Sequence, residues 1–219
     1  MSSLRRDGLP LVIELVGLPG SGKSSITRAV QARHLGRGDL RILEARLGWP
    51  VVQLLVAALN LALSARPFSI ARIARAFKLV GFLRYYRRHR NLPIIMDQGL
   101  TQKLWSMLAE TQDFSLPLLT TTVRRLAPFA ADHLIWVETP AHIAADRIAG
   151  RTGGNSRFDG HPQDENAARL VNLLELYKLI AELFERHTNV HVLSLRGEDP
   201  IAENAARIDL LIKDRINEG

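Results

Sequence analysis

The segment from Gly17 to Ser24 has the most specific chemical pattern in this sequence. It reads Gly-Leu-Pro-Gly-Ser-Gly-Lys-Ser and matches the phosphate-binding pattern G-x-x-x-x-G-K-[ST] in full. Its glycines let the backbone curl so that several N–H groups point at one phosphate chain. Lys23 can reach the β- and γ-phosphates, and the Ser24 hydroxyl can ligate Mg²⁺. The residues predicted to bind a nucleoside triphosphate are Gly17, Leu18, Pro19, Gly20, Ser21, Gly22, Lys23, Ser24 and Ser25.

The sequence on either side of this segment supports the same interpretation. An apolar strand pattern, Leu11–Val16, precedes the segment, and a helix pattern, Ser25–Leu35, follows it. A helix beginning near Lys23 would add the positive end of its dipole to the phosphate site. The alternative is a glycine-rich turn that happens to contain Lys-Ser, which the flanking strand and helix disfavour.

A second chemical signal is Asp97, which ends the apolar run Pro93-Ile94-Ile95-Met96. A strand beside the first one would place this carboxylate next to Ser24, near Mg²⁺. There Asp97 could hold a metal-bound water or accept a proton from an attacking hydroxyl. An ordinary strand end with a turn-forming acid is the alternative. We predict Ser24 and Asp97 as the metal-side pair, with Lys23 and Asp97 among the catalytic residues.

Three arginines follow the fourth predicted strand. Arg147 and Arg151 are four positions apart, which puts them on one face of a helix, and Arg157 follows a polar, glycine-containing stretch. Arginines on a segment that closes over phosphates neutralise charge on the transferring group and exclude water. We expect 151–165 to form such a lid. Solvated arginines beside an ordinary surface loop are the alternative.

The remaining sequence alternates strand and helix patterns, which predicts an α/β fold with a parallel sheet and helices on both faces. The predicted strands are Leu11–Val16, Leu40–Ala45, Leu92–Met96, His133–Val137 and Val190–Leu195. Helices are predicted over 25–35, 51–64, 69–88, 100–110, 116–127 and 163–187, with one capped by Thr139 and another after Pro200. Repeats and linkers are absent, so residues 1–219 are expected to form a single domain.

The composition limits the partners and the compartment. The chain of 219 residues has a net charge of +7, which calls for an anionic partner, and its lack of cysteine suits a reducing cytoplasm. The segment 66–90 contains eight basic residues and no acidic one. Nucleic acid is not expected as a partner, because these charges are interleaved with core-type residues and no reading motif is present.

Three segments together resemble the nucleoside and nucleotide kinase branch of phosphate-loop proteins, with thymidylate-kinase-like proteins nearest. They are GLPGSGKS at 17–24, IIMDQG at 94–99 and HLIWVETPAHIAADRIAGR at 133–151. The resemblance implies a three-layer phosphate-loop NTPase fold, with a five-stranded parallel sheet in the order 2-3-1-4-5. It also implies ATP and Mg²⁺ as cofactors, with Arg147 and Arg151 lining the lid side of the ATP site. By position alone, Arg196 after the fifth strand would lie near adenine.

The acceptor side departs from that resemblance. Thymidylate kinases usually have Asp-Arg after the third strand, where this chain has Asp97-Gln98, and their Arg-Glu-Pro after the second strand is replaced by Leu43-Glu44-Ala45-Arg46. Glu44 could be an acceptor-site base or a salt-bridged strand end. Gln102 and Trp105 are three apart on a predicted helix and could offer an amide and a ring. The predicted acceptor residues are Glu44, Gln98, Gln102 and Trp105.

The apolar middle of the chain leaves several interpretations open. The stretch 51–63 is too short to span a bilayer comfortably, so a buried helix is expected and stable membrane insertion is not. The basic helix that follows could lie on a membrane surface, bind a partner or face an anionic acceptor. These helices could also form a homodimer interface.

The sequence thus predicts an ATP- and Mg²⁺-dependent kinase acting on a nucleoside monophosphate or a similar small anionic acceptor. The alternative is a regulatory protein that binds or hydrolyses nucleoside triphosphate.

Overall fold

A computed structural model describes residues 11–30, 34–35, 49–88, 94–150 and 163–217. The strands are β1 (Val12–Val16), β2 (His34–Leu35), β3 (Ile94–Met96), β4 (His133–Glu138) and β5 (His191–Arg196). The helices are α1 (Lys23–Ala29), α2 (Trp49–Ser64), α3 (Ile70–Arg88), α4 (Leu100–Leu108), α5 (Leu116–Leu126), α6 (Ala141–Ala149), α7 (Gln163–His187) and α8 (Ile201–Asn217). One 3₁₀ turn, Ala127–Phe129, follows α5.

Parallel pairing builds the sheet around β1, which pairs with β3 on one side and with β4 on the other. β5 runs beside β4, and the two-residue β2 extends the sheet beyond β3. The order is β2-β3-β1-β4-β5, and the predicted α/β class with a parallel sheet is confirmed. Because the strands are parallel, the loops after β1, β3, β4 and β5 meet at one edge of the sheet, where ligands of such folds bind.

Alternation along β1 divides the core into two parts. Val12 and Val16 face the larger hydrophobic cluster, which is built by α2 through α7, whereas Ile13 and Leu15 face the smaller one with α1 and α8. Every residue of β1 is buried. The large cluster also includes one face of α7, with Leu170, Tyr177 and Phe184. The sheet is therefore covered on both faces, as parallel sheets require.

Three local predictions need correction or fall outside the described residues. The helix predicted over 25–35 ends at Ala29, because Val30 is extended and Leu35 pairs with β3 as part of β2. The helix predicted to be capped by Thr139 begins at Ala141, with Pro140 at its N-cap and no side-chain hydrogen bond there. The strand predicted over 40–45 lies outside the described residues.

Candidate functional site

The phosphate-loop segment, Gly17 to Ser24, lies at the carboxyl end of β1 and bends back on itself. Gly17, Gly20 and Gly22 all have positive φ, and the Gly20 value is 86°. A β-carbon at Gly20 would collide with the carbonyl oxygen of Ala144 in α6. Position 20 therefore needs glycine for two separate reasons, its backbone conformation and its close contact with α6.

Lys23 is buried beneath the loop, at 8% exposure. Its amine donates hydrogen bonds to the carbonyl oxygens of Gly17 and Leu18, each at 2.8 Å, and to the Ser21 hydroxyl at 3.1 Å. A buried ammonium group needs such acceptors because desolvation without them is costly. The loop thus holds the Lys23 charge within itself, directly beneath the turn that the motif assigns to phosphate.

Ser24 and Asp97 meet across the sheet edge. The Ser24 hydroxyl donates a hydrogen bond of 2.8 Å to Oδ2 of Asp97, although 73 positions separate the two residues. The contact exists because β3 is the direct neighbour of β1, so the residue that follows β3 lies beside the second residue of α1. The structure brings together the two side chains that the sequence predicts as the metal-side pair.

The oxygen atoms of this pair fit a magnesium ion. Mg²⁺ takes oxygen ligands, commonly one or two carboxylates together with substrate phosphates and water. Oδ1 of Asp97 is buried and has no hydrogen-bond partner among the described residues. Within those residues no group of three or more His, Cys, Asp or Glu side chains could hold a metal ion by itself. The donor set therefore suits a cation whose other ligands come from a nucleotide and water.

Arg147 is the predicted lid arginine that the structure describes. It is exposed on the last turn of α6, and its Nη1 lies 4.0 Å from where a β-carbon of Gly22 would be. Because α6 also contacts the loop at Gly20, the guanidinium lies beside the phosphate loop. Arg151 and Arg157, and the rest of the predicted lid up to 162, lie outside the described residues.

A groove beside the loop contains Arg196, the residue predicted near adenine. The groove has a volume of about 520 Å³, within the range of small-molecule sites. Gly197, the next residue, packs so closely against Thr139 and the Ser21 carbonyl that a side chain would not fit. Gly197 thereby links the end of β5 to the phosphate loop. The groove is lined by Trp136, Glu138, Thr139, Pro140, Leu174, Lys178, Val192, Ser194, Arg196 and Glu198.

The predicted acceptor residues separate into different environments. Gln98 is half-buried directly after Asp97, and Oε1 of Gln102 is buried with no hydrogen-bond partner among the described residues. Trp105 is a correction, because it is only 1% exposed, stacks on Tyr177 at 4.3 Å and donates its indole N–H to the Leu173 carbonyl. Its ring belongs to the core and does not face an acceptor. Glu44 lies outside the described residues.

Glu14, in the middle of β1, is a buried acid that belongs to none of the predicted sites. Its carboxylate accepts hydrogen bonds from the backbone N–H of Gln102 at 3.0 Å and from the Thr101 hydroxyl at 3.2 Å. Burial raises the pKa of Glu14 to about 7, and hydrogen bonds from Gln102 and Thr101 and the charge of Lys103 partly oppose that rise. The available signal was an acidic residue at an inward position of an otherwise apolar strand.

Two arginines of α3, Arg72 and Arg75, bond to other groups of the protein. The buried Arg72 donates to the carbonyl oxygens of Ala65 and Pro67, and so closes the connection between α2 and α3. Arg75 pairs with Glu110. No described helix is long and apolar enough to cross a membrane. These contacts assign Arg72 and Arg75 to packing and leave the surface interpretations of α3 open.

Comparisons with known proteins find similarity at the level of the fold. No protein-family model and no curated protein matches the sequence. A structure of deoxyadenosine kinase from M. mycoides with bound dATP is 13% identical, with a TM-score of 0.51 over 94% of this chain and 100% of that chain. A second structure of that enzyme, with dCMP and dCDP bound, is 14% identical, with a TM-score of 0.53 over 95% of this chain and 99% of that chain.

A shikimate kinase from Acinetobacter baumannii, in complex with shikimate, is 12% identical, with a TM-score of 0.49 and 94% of each chain covered. The two deoxyadenosine kinase structures show that this chain shares their overall fold. At such low identity they show the fold alone. The closer resemblance to thymidylate-kinase-like proteins stays a prediction from the sequence.

Proposed function

We propose that this protein is a kinase that transfers the γ-phosphate of ATP, with Mg²⁺, to a nucleoside monophosphate or a similar small acceptor. The observation that carries this proposal is the 2.8 Å hydrogen bond between Ser24 and Asp97. A phosphate loop alone would support triphosphate binding. A buried carboxylate held against the loop hydroxyl adds a group that can serve a metal ion or an attacking hydroxyl.

On the donor side, the backbone N–H groups of the phosphate loop bind the phosphate chain of ATP. The Lys23 amine exchanges its bonds to the loop carbonyls for bonds to phosphate oxygens, and Arg147 approaches from α6. Arg151 and Arg157 complete the proposed lid. Adenine is assigned to the side of the groove that contains Arg196.

Mg²⁺ would be held by Ser24 and Asp97 and would neutralise charge on the phosphates when bound. The buried Oδ1 of Asp97 supports this assignment, since a carboxylate oxygen without a partner is costly to bury. Asp97 either helps to hold Mg²⁺ or takes the proton from the hydroxyl of the acceptor substrate. Transfer forms a bond between the acceptor oxygen and the γ-phosphorus, breaks the bond to the β,γ-bridging oxygen, and yields ADP and one proton.

The acceptor is assigned to the carboxyl end of β3, where Gln98 and the Gln102 amide lie close to Asp97 in sequence. Gln98 replaces the arginine that would hold an acceptor phosphate, so uncharged nucleosides belong in the same test as nucleoside monophosphates. Glu44 stays in the proposal as a candidate base. The two solved neighbours with TM-scores above 0.5 are structures of a deoxyadenosine kinase, which supports an acceptor of this class.

An acceptor screen tests the proposal. Release of ADP from ATP and Mg²⁺ is measured with nucleosides, nucleoside monophosphates, sugars and sugar phosphates, and the phosphorylated product is identified by mass spectrometry. We expect ADP release that requires one acceptor class and is lost in Lys23→Ala. ADP release at the same rate without any acceptor would favour the hydrolysing regulatory protein. Tight ATP binding with neither transfer nor hydrolysis would contradict the kinase assignment.

A further inference from the structure

Glu14 is a buried ionisable group that the proposed mechanism does not use. It is only 2% exposed and lies on β1, three positions before Gly17. We propose that Glu14 is a positioning residue that holds the Asp97 carboxylate in place on the Mg²⁺ side of the phosphate loop. This inference rests on the proposed nucleotide and Mg²⁺ site.

Glu14 contacts the start of α4. The first turn of a helix leaves backbone N–H groups without intrahelical partners, and Gly99, at the N-cap, has no side chain to satisfy them. Glu14, on strand β1, supplies the missing hydrogen-bond acceptor. Its carboxylate accepts from the backbone N–H of Gln102 and from the Thr101 hydroxyl. The strand carboxylate thus takes the place of a local cap.

Gly99 packs closely against the Glu14 side chain. A β-carbon at this position would lie only 2.7 Å from both Cγ and Oε2 of Glu14. The backbone between β3 and α4 therefore rests directly on the Glu14 side chain. Since Asp97 is only two residues before Gly99, any shift of α4 away from Glu14 also moves Asp97.

Both sides of the Ser24–Asp97 contact depend on the same strand, β1. β1 leads directly into the phosphate loop, and its Glu14 fixes the segment that presents Asp97. A residue that orients a metal ligand typically changes metal affinity by about tenfold to 100-fold when it is lost. A group that only fills space would affect stability and leave the metal dependence unchanged.

The test measures how much Mg²⁺ strengthens the binding of a fluorescent ATP analogue, well below the melting temperature of each variant. We expect Glu14→Leu to lower this Mg²⁺ enhancement about tenfold. Glu14→Gln, which keeps an oxygen for the backbone N–H of Gln102, should stay within about threefold of wild type, the cost of one hydrogen bond. Binding in the absence of Mg²⁺ should change little in either variant. If Glu14→Leu does not fold, the same assay is made with Thr101→Val, for which we expect a fall of about threefold.

Asp132→Asn is the matched control. The Asp132 carboxylate also accepts a backbone N–H of β1, from Val12 at 2.8 Å, but at the opposite edge of the sheet. It should leave the Mg²⁺ enhancement as in wild type. Amide hydrogen exchange without nucleotide gives a second readout, because Glu14→Leu should accelerate exchange over 97–102 and Asp132→Asn should not.

Two results would overturn the inference alone: an unchanged Mg²⁺ enhancement in Glu14→Leu, or an equal loss in Asp132→Asn. In both cases wild-type transfer activity would still support the proposed function. A wild-type protein that binds the analogue without any Mg²⁺ enhancement would overturn both the inference and the proposed metal site.

Discussion

The donor side and the acceptor side of the site are built in different ways. The donor side is mainly backbone, since eight consecutive residues form the phosphate loop and its glycines permit the turn. The proposed acceptor side consists of side chains at the end of β3 and the start of α4, where Glu14 from β1 accepts a backbone hydrogen bond. A short motif therefore identifies the donor, whereas the acceptor depends on contacts between distant segments. Variants on the two sides should accordingly fail in different ways.

The largest expected effect is on the donor side. Lys23→Ala should lower the rate of phosphate transfer about 10³-fold, because it removes a charge that stabilises the transferring phosphates. Steady-state kinetics of ADP release measures the loss, and circular dichroism checks that the fold is retained. A variant with full activity would remove Lys23 from the catalytic list and weaken the contrast between the two sides.

The next effect is a pH dependence of protein stability that arises from Glu14, the residue that contacts the start of α4. The pKa of Glu14 is raised from 4.5 to about 7, so between these values the folded chain keeps a proton that the unfolded chain releases. The contribution of Glu14 is therefore fully present below pH 4.5 and is lost as the pH rises through 7. We expect this group to lower the free energy of unfolding by about 3 kcal/mol over that interval.

Urea unfolding at several pH values measures this dependence, and Glu14→Gln should remove it because the amide does not titrate. The pH profile of the variant should be flatter than that of wild type, while Asp132→Asn tests the effect of another carboxylate bonded to β1. Identical slopes in wild type and Glu14→Gln would contradict the raised pKa.

A smaller loss should occur where the two sides meet. Asp97→Asn should lower the transfer rate about 10²-fold, since the amide is a poorer metal ligand and cannot act as a base. The two roles of Asp97 can be separated by titrating Mg²⁺. A higher half-saturating Mg²⁺ concentration in the variant supports the metal role, whereas an unchanged one with the same loss of rate supports the base. Full activity in Asp97→Asn would exclude both roles.

The smallest effect should be confined to the acceptor. Gln102→Leu should raise the KM for the acceptor about tenfold, the cost of one well-made hydrogen bond, with the KM for ATP unchanged. Trp105→Phe is the comparison variant on the same helix. It removes the indole bond to the Leu173 carbonyl and should reduce stability without changing either KM. An acceptor effect at Trp105 and none at Gln102 would reverse the assignment made from burial.

Prediction from the sequence was most accurate where the controlling interactions are local. The strand before the phosphate loop, the long helix α7 and the residue after β3 follow from apolar periodicity and turn chemistry. The helix after the loop was predicted too long, because pairing of β2 with β3 outweighed the local helical preference. Trp105 was misassigned because its helix position does not reveal that Tyr177, from α7, stacks on its ring.

The sequence by itself is enough to predict a phosphate loop, because the required conformation depends on glycines and a lysine within eight consecutive positions. Only the tertiary structure decided whether the predicted Asp97 stands beside that loop and which residue supports it. Asp97 meets Ser24 because β3 is the neighbour of β1, and Glu14 reaches α4 because its position on β1 faces that side of the sheet. Such contacts arise from strand order and burial, which are properties of the folded chain.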